Sequence, residues 1–496
     1  MSATSPAIAR WRPEVEGGPI RHVAIAGGGI VGWSAAAALR RRIPALAVTV
    51  IPLPPPPDAL ADRVQSALPS IVNFHDDLGL TEADTIARAG SGFRLGTLFE
   101  GWCEGLPGYV HAYGEYGRPF GTASFHQHWL RAALDGDAGA FDAYAPAAAL
   151  ARAGRLPHPA AAAAAPVASV PHGLTLTLPR YHHLLRAFAF HLGATEREGE
   201  IARVRIGEDG GIAGLDLAGG GAVEADLYVD ATGPRALLRS ALGLRLEAWG
   251  RWLPCDRVAL AESPASAEPP LLERAEATAG GWRWRASSPL VASDGRVFGA
   301  AFEEAEGAVA IEQGRISQPW LRNCVAIGDA AVRVEPLEWT NLHLAHSAID
   351  RLIAMMPDRA FSPVELWDYN RQAAAEADRV RDFLALHYHG ARRSEPFWRA
   401  AAAAEPPPSL AHTLALFRER GRLPFHEEET FARDSWLAVL LGQGLLPRSA
   451  DPLIDIVPPR DSAAAMAEMR SGIAALVPGV PTHAAILNAL MRQVAR

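Results

Sequence analysis

Lysine is missing from this protein: none of its 496 residues is lysine, and all 47 basic side chains are arginine. Chemistry that needs a lysine amine is therefore excluded, including Schiff-base and pyridoxal catalysis and the phosphate-binding lysine of a P-loop. Cysteine is scarce. Cys103, Cys255 and Cys324 are the only three, far apart in sequence, so neither a disulfide framework nor a CxxC metal site is expected. That usage fits buried thiols in a reducing cytoplasm. No run of ~20 apolar residues exists, so no membrane span is expected. Residues 1–20, with Pro13, Glu14 and Glu16, lack the apolar core of a signal peptide. Positive charge is not in excess either: 55 acidic residues against 47 basic ones leave a net charge of −8. This argues against a nucleic-acid or anionic-membrane partner.

What is present is an ordinary globular composition, 49% apolar and 21% charged, sufficient for a large core. At ~150 residues per domain the length suggests roughly three structural units, or fewer if they interleave. The apolar run Arg21 to Ala26 reads as a buried strand, followed by Gly27-Gly28-Gly29-Ile30-Val31-Gly32 and an alanine-rich helix from Trp33 to Arg42. A second strand, Leu46 to Ile51, is stopped by the prolines from Pro52 to Pro57. This is a βαβ unit opening an α/β domain. Pro159 to Val170 is low-complexity and reads as an exposed connection. Glu200 to Asp230 alternates like a β-meander with turns at 208–211 and 219–221, and from about His343 the apolar spacing becomes helical.

Gly27, Gly29 and Gly32 have the GxGxxG spacing between a strand and a helix. Such glycines permit a tight turn and let a pyrophosphate approach the helix N-terminus, where free N–H groups and the helix dipole favour anions. The acidic residue expected at the end of the second strand is replaced by Pro52. Asp230-Ala231-Thr232-Gly233 resembles the DATG segment of flavoprotein monooxygenases, and Gly328-Asp329 resembles their second FAD motif. A carboxylate at a strand end suits sugar hydroxyls, which are good donors.

Further segments resemble the flavin-dependent tryptophan halogenases almost end to end. Gly27 to Trp33 matches a GGGxxGW opening, Pro69 to His75 a PSxxxFH segment, Gly281-Trp282-Arg283-Trp284 the start of GWxWxIP, and Glu335 to Thr340 the segment EPLEST. Tyr369-Asn370-Arg371, Arg381 to Tyr388, Pro396-Phe397-Trp398 and Trp436 to Gly444 extend the likeness into the helical region.

The resemblance implies an α/β fold in which an FAD-binding, doubly wound (Rossmann-like) module is interleaved with a substrate β-sheet. On that reading residues 1–20 form a tail, 21–342 the FAD module with its substrate-sheet segments, and 343–496 a mainly helical C-terminal region. It further implies that reduced FAD, delivered by a separate flavin reductase, and oxygen convert halide to hypohalous acid. The acid then reaches a lysine and a glutamate beside a small aromatic substrate or an aromatic side chain. Glu338 matches the glutamate and Arg94 the lysine; Gly27, Gly29, Gly32, Thr232, Gly233, Gly328 and Asp329 match the cofactor side. Thr340 and Asn341 match the pair whose backbone N–H groups hold the halide. Trp282 and Trp284 match the pair that keeps substrate from the flavin, and His111 and Trp339 lie on the substrate side. A homodimer is compatible with the family.

Several residues depart from the family. Arginine cannot readily supply a free amine, so Arg94 would act as a hydrogen-bond donor. Trp339 stands for a small serine and fills space in the site; Asn341 stands for glycine, Ala286-Ser287 for isoleucine and proline, and Arg63-Val64-Gln65-Ser66 for the flavin strap. Two alternatives follow: an oxygenase that hydroxylates the ring, and a relative that binds a ligand or partner without turnover. Phe125-His126-Gln127-His128-Trp129 would line the substrate pocket or pack a domain edge. His343 with His346 and His387 with His389 have no third ligand nearby in sequence, so no metal is expected. Glu427-Glu428-Glu429 reads as a solvated face.

Overall fold

The structure, a computed structural model, describes residues 17–159, 169–266 and 268–494. Most of the proposed N-terminal tail and of the low-complexity segment at 159–170 lies outside the described residues.

Strand β1 (His22–Ala26) pairs in parallel with β2 (Ala47–Ile51) on one side and with Leu227–Asp230 on the other, and that strand pairs in parallel with Cys324–Ala326. Thr195–Glu196 and Trp320–Leu321 complete the six-stranded sheet at its two edges. The central strands are buried, as continuous apolar runs with both faces covered should be. Helix α1 (Ile30–Arg42) begins three residues earlier than the expected Trp33, because the turn after Gly29 is already helical. Its residues from Ile30 to Leu39 are all buried, and the alanine surface lets helices Leu178–His191 and Thr340–Ala354 approach closely. The expected meander is present as strands Ile201–Ile206, Ile212–Leu217 and Ala222–Val223, after which the chain enters the parallel sheet.

A second, seven-stranded sheet runs in the order Val309–Ala310, Arg257–Pro264, Val291–Phe298, Gly281–Ser287, Leu272–Ala277, Gly96–Glu100, Tyr109–Ala112. Its pairings are antiparallel except between Leu272–Ala277 and Gly96–Glu100. Its strands come from both sides of the meander in sequence, so the two sheets are interleaved along the chain. From Thr340 onward the named elements are helical, the longest being Pro363–Gly390. These helices pack back onto the sheets, and the last, His483–Val494, lies against Glu82–Ala87 near the start of the chain. Among the described residues no helix is long and apolar enough to cross a membrane.

Candidate active site

The cofactor motifs converge because parallel strands end together. Gly27, Thr232 and Gly328 follow three adjacent strands, β1, Leu227–Asp230 and Cys324–Ala326, at their carboxyl ends, where open α/β sheets bind ligands. Gly27 has φ +128°, and a Cβ there would lie 2.3 Å from the Ala231 carbonyl; one on Gly32 would lie 2.0 Å from the Gly27 carbonyl. Both positions therefore require glycine. The N-terminus of α1 is an anion site by demonstration, since the Asp62 carboxylate accepts the Val31 N–H at 3.0 Å and packs against Gly29. Burial pushes the Asp62 carboxyl up to about 6 against the hydrogen bonds from Val31 and Ile30. Beside it is a cavity of ≈ 430 Å³ lined in part by Gly29, Ile30, Asp62, Arg63 and His182. A glycine cradle, a helix N-terminus and a neighbouring arginine fit the diphosphate of FAD. Asp329 accepts the Ala61 N–H at 2.8 Å, so residues 61 and 62 engage both cofactor-side elements. Thr232 is held within its own turn. Its hydroxyl donates to Asp230 at 2.7 Å and accepts the Leu237 N–H at 2.8 Å, while Gly233 faces Pro56 and Ala59.

The end of the site that holds Glu338 and Arg94 is built by sheet register. Glu273, Thr97 and His111 stand in one row across three neighbouring strands, Glu273 opposite Thr97 and Thr97 opposite His111. All three face the site. Glu273 pairs with Arg94 at 3.0 Å, Thr97 accepts both Arg94 Nη2 and the Trp339 indole N–H at 3.0 Å, and His111 Nδ1 lies 2.8 Å from Glu338. His387, from helix Pro363–Gly390, contacts the same Glu338 oxygen through Nε2 at 3.0 Å. Burial alone would push the Glu338 carboxyl up; His111 and His387 outweigh it and hold it at about 2. Glu338 is 2% exposed. It and Trp339 have φ of 59° and 62°, two consecutive non-glycine residues in the left-handed region. Such strain costs of order 1–3 kcal/mol per residue and persists where surrounding contacts over-determine it.

Arg94 is fully buried, its guanidinium 5.2 Å from the Tyr113 ring centre and 5.4 Å from that of Trp339. Nη1 points to the Ala67 carbonyl at 3.4 Å, and Nε has no partner. Burial pushes the Glu273 carboxyl up while Arg94, Ser66 and Thr175 pull it down. Trp282 and Trp284 alternate inward between the exposed Arg283 and Arg285, as a half-buried strand dictates. Their ring centres are 5.3 Å apart, and Trp284 meets Trp339 edge-on at 5.8 Å. Trp284 lies over Gly295, where a Cβ would sit 2.0 Å from its ring. Behind Trp282 is a second buried carboxylate, Glu335, bonded to Tyr388, to Gln313 at 3.0 Å and to the Trp282 indole at 3.3 Å. Burial pushes it up to about 7 despite these bonds.

Thr340 and Asn341 are buried at the start of helix Thr340–Ala354, whose N-terminus carries no side-chain cap. Helix N–H groups left without partners favour an anion there. Asn341 donates to the Val334 carbonyl at 2.7 Å, and its Oδ1 is unpartnered. On the other side of His111 opens a cavity of ≈ 540 Å³, walled in part by Leu68, Pro69, Tyr113, Pro171 and Phe431. Its volume and apolar lining suit an aromatic molecule.

Some expectations are corrected. His126, His128 and Trp129 do not line that cavity: His126 bonds the Gly421 carbonyl at 3.0 Å, His128 stacks on Phe120, and Trp129 donates to the Gly139 carbonyl. They pack helix Phe125–Leu134 against the C-terminal region. Glu429 is not solvated but paired with the buried Arg379 at 2.8 Å. His343 bonds Ser70 and His346 stacks on Phe74; among the described residues no group of three His, Cys, Asp or Glu could hold a metal. The three cysteines are buried and free. Sequence reasoning missed Glu273, Thr97, Asp62 and the role of His387. Glu273 had a signal, an acidic residue on the Glu273, Ala275, Ala277 face of its strand, where alanines mark the inside.

Known proteins resemble this chain in sequence and fold. The family profile described as tryptophan halogenase matches residues 22–459. BrvH, a flavin-dependent halogenase from Brevundimonas sp. BAL3, is 34% identical and superimposes with a TM-score of 0.88 over 95% of this chain and 99% of its own. A flavin-dependent halogenase from Xanthomonas campestris is 33% identical with a TM-score of 0.88 over 95% and 98%. Tryptophan 6-halogenase from Streptomyces toxytricini is 26% identical over 95% of this chain and 98% of its own. With its flavin-side glycines, paired tryptophans and buried glutamate in one fold, this chain belongs to the flavin-dependent tryptophan halogenase family.

Proposed function

We propose that this protein halogenates an electron-rich, indole- or phenol-like ring entering the cavity beside His111, with Glu338 as the residue that orients the oxidant and accepts the ring proton. The supporting observation is the clamp on Glu338: two imidazoles hold one oxygen of this buried carboxylate. Reduced FAD, supplied by a separate flavin reductase, provides with oxygen the oxidising equivalents that turn halide into hypohalous acid. The N–H groups of Thr340 and Asn341 hold the halide at a helix N-terminus. Arg94 keeps one donor, Nε, for the oxygen of the acid, the rest of its guanidinium being engaged by Glu273, Thr97 and Ala67. A carboxylate near 2 is a weak base, yet a protonated, halogen-bearing ring is far more acidic, so transfer is downhill. Trp282 and Trp284 separate the cofactor side from the ring.

Relatives named as tryptophan 6- and 7-halogenases and as flavin-dependent halogenases support this reading. The same proposal includes a cytoplasmic enzyme, a boundary near residue 342 between the FAD module and the helical region, and a homodimer. Sedimentation would expose a monomer. The deciding experiment supplies FAD, a flavin reductase and bromide and reads a panel of indoles and phenols by mass spectrometry. A brominated product is expected. A product that gains oxygen but never bromine would make the protein a hydroxylase, and failure to take up FAD would remove both activities.

A further inference from the structure

We propose that Trp339 is itself a halogen acceptor: hypohalous acid formed in this protein modifies its own Trp339 indole. The inference rests on the halogenation reading above. Three observations carry it. First, the indole is held as a substrate ring would be, its N–H donated to Thr97 at 3.0 Å, its neighbour in the chain the carboxylate Glu338, and the Arg94 guanidinium 5.4 Å from its centre. Second, Arg94 Nε is fully buried without a partner, so an oxidant hydrogen-bonded there is held beside the Trp339 ring. Third, the guanidinium lies near two aromatic side chains, of which Tyr113 lines the open cavity and Trp339 does not. Trp339, 1% exposed, stands on the inner side. An oxidant at Arg94 therefore has the Trp339 indole as an immediate neighbour.

Chemistry selects between the two neighbours. A phenol reacts fastest as phenolate, and burial pushes the Tyr113 hydroxyl well above its ordinary value, against the pull of Arg94. An indole needs no deprotonation. In the step, a ring π pair forms a C–X bond, the O–X bond breaks with its electrons going to oxygen, and the ring loses a proton to Glu338. That proton and the hydroxide make water, so hypohalous acid and an aryl C–H become an aryl C–X and water. The halogen is reduced and the ring carbon oxidised by two electrons.

Trypsin isolates the residue. Cleavage after Arg333 and Arg351 releases residues 334–351, in which Trp339 is the only tryptophan; Trp282 falls in 275–283 and Trp284 in 284–285. The full chain is given FAD, a flavin reductase, oxygen and bromide, first without and then with free indole, and its peptides are mapped by mass spectrometry. The expected result is a bromine isotope doublet on 334–351, with label at Trp339 about tenfold or more above that at the exposed Trp367, as for a reagent held beside one ring. The Trp339→Phe variant should lose that doublet and brominate more free indole per reduced flavin consumed. Bromination of free indole with 334–351 unlabelled would overturn the inference and leave the function standing. Equal labelling of Trp367 would also overturn it, by showing that the oxidant escapes. Bromine on neither indole nor peptide would overturn the function and the inference together.

Discussion

Arg94 and Glu273 form an ion pair of 3.0 Å in which both side chains are at most 2% exposed. The pair answers the question posed by a chain without lysine. Arginine at this position carries a permanent charge into the core, and a carboxylate from strand Leu272–Ala277 of the seven-stranded sheet offsets it. Removing one partner of such a pair costs about 3–5 kcal/mol, because the other charge stays buried and alone. Glu273→Gln should therefore lower the denaturation midpoint by an amount of that order, and Arg94→Met combined with Glu273→Leu should recover most of it. A double variant no more stable than the single one would mean that the pair is not the main contribution of either residue.

Glu338→Gln should reduce halogenation by about 10²–10⁴-fold while flavin reoxidation continues, the range expected for loss of a proton-transfer group. Rates of product formation and of oxygen uptake, measured together, decide it; parallel loss of both would move Glu338 to the cofactor step. Stability gives a second readout. The folded carboxyl is depressed to about 2 against ~4.3 unfolded, so its contribution is present above ~4 and is lost as pH falls toward 2. The stability advantage of the wild type over Glu338→Gln should shrink across that window.

Glu335 has the opposite sign. Burial pushes it up to about 7, so the folded state favours the neutral acid and ionisation destabilises it. Stability from this group is intact below ~4.3 and declines as pH rises to about 7. Glu335→Gln, which keeps an acceptor for the Trp282 N–H, should raise the melting temperature at pH 8 and have little effect at pH 4. The upper bound is ~4 kcal/mol. A variant equally stabilised at both pH values would rule out ionisation as the cause.

Asp62 sits where the diphosphate of FAD would meet α1. Replacing its carboxylate by an amide should tighten FAD binding about tenfold, since one negative charge no longer holds the Val31 N–H or repels the ligand. Fluorescence titration of the oxidised cofactor reads this without turnover. With a carboxyl near 6, the wild type becomes neutral at lower pH, so the affinities of wild type and Asp62→Asn should converge below that value. Weaker binding by the variant would make Asp62 a ligand of the cofactor instead.

Periodicity and glycine spacing made the βαβ opening, the meander and the helical C-terminal region legible, because each is written in local pattern. The inward placement of Trp282 and Trp284 was legible for the same reason: alternate residues on a strand face opposite ways. The Phe125 to Trp129 segment was not. A histidine- and aromatic-rich helix reads alike whether it borders a pocket or an edge, and only its partners, Gly421 and Phe120, separate the two.

Sequence by itself determined the chemistry available to this protein: arginine in place of lysine, a tryptophan beside the glutamate, and glycines where backbones must come close. Tertiary structure decided what each residue became. Glu273 and Arg94 are 179 positions apart in a chain numbered to 496, and strand register alone brings Glu273 opposite Thr97 and Thr97 opposite His111. The charge state of Glu338 likewise depends on His111 and His387, which reach it from a strand and a helix distant in sequence. Pairing of buried charges is a non-local property, set by which strands are neighbours, and local pattern carries no record of it. The absent lysine was visible from composition; the carboxylate that makes its arginine replacement tolerable in the core became visible only in the folded sheet.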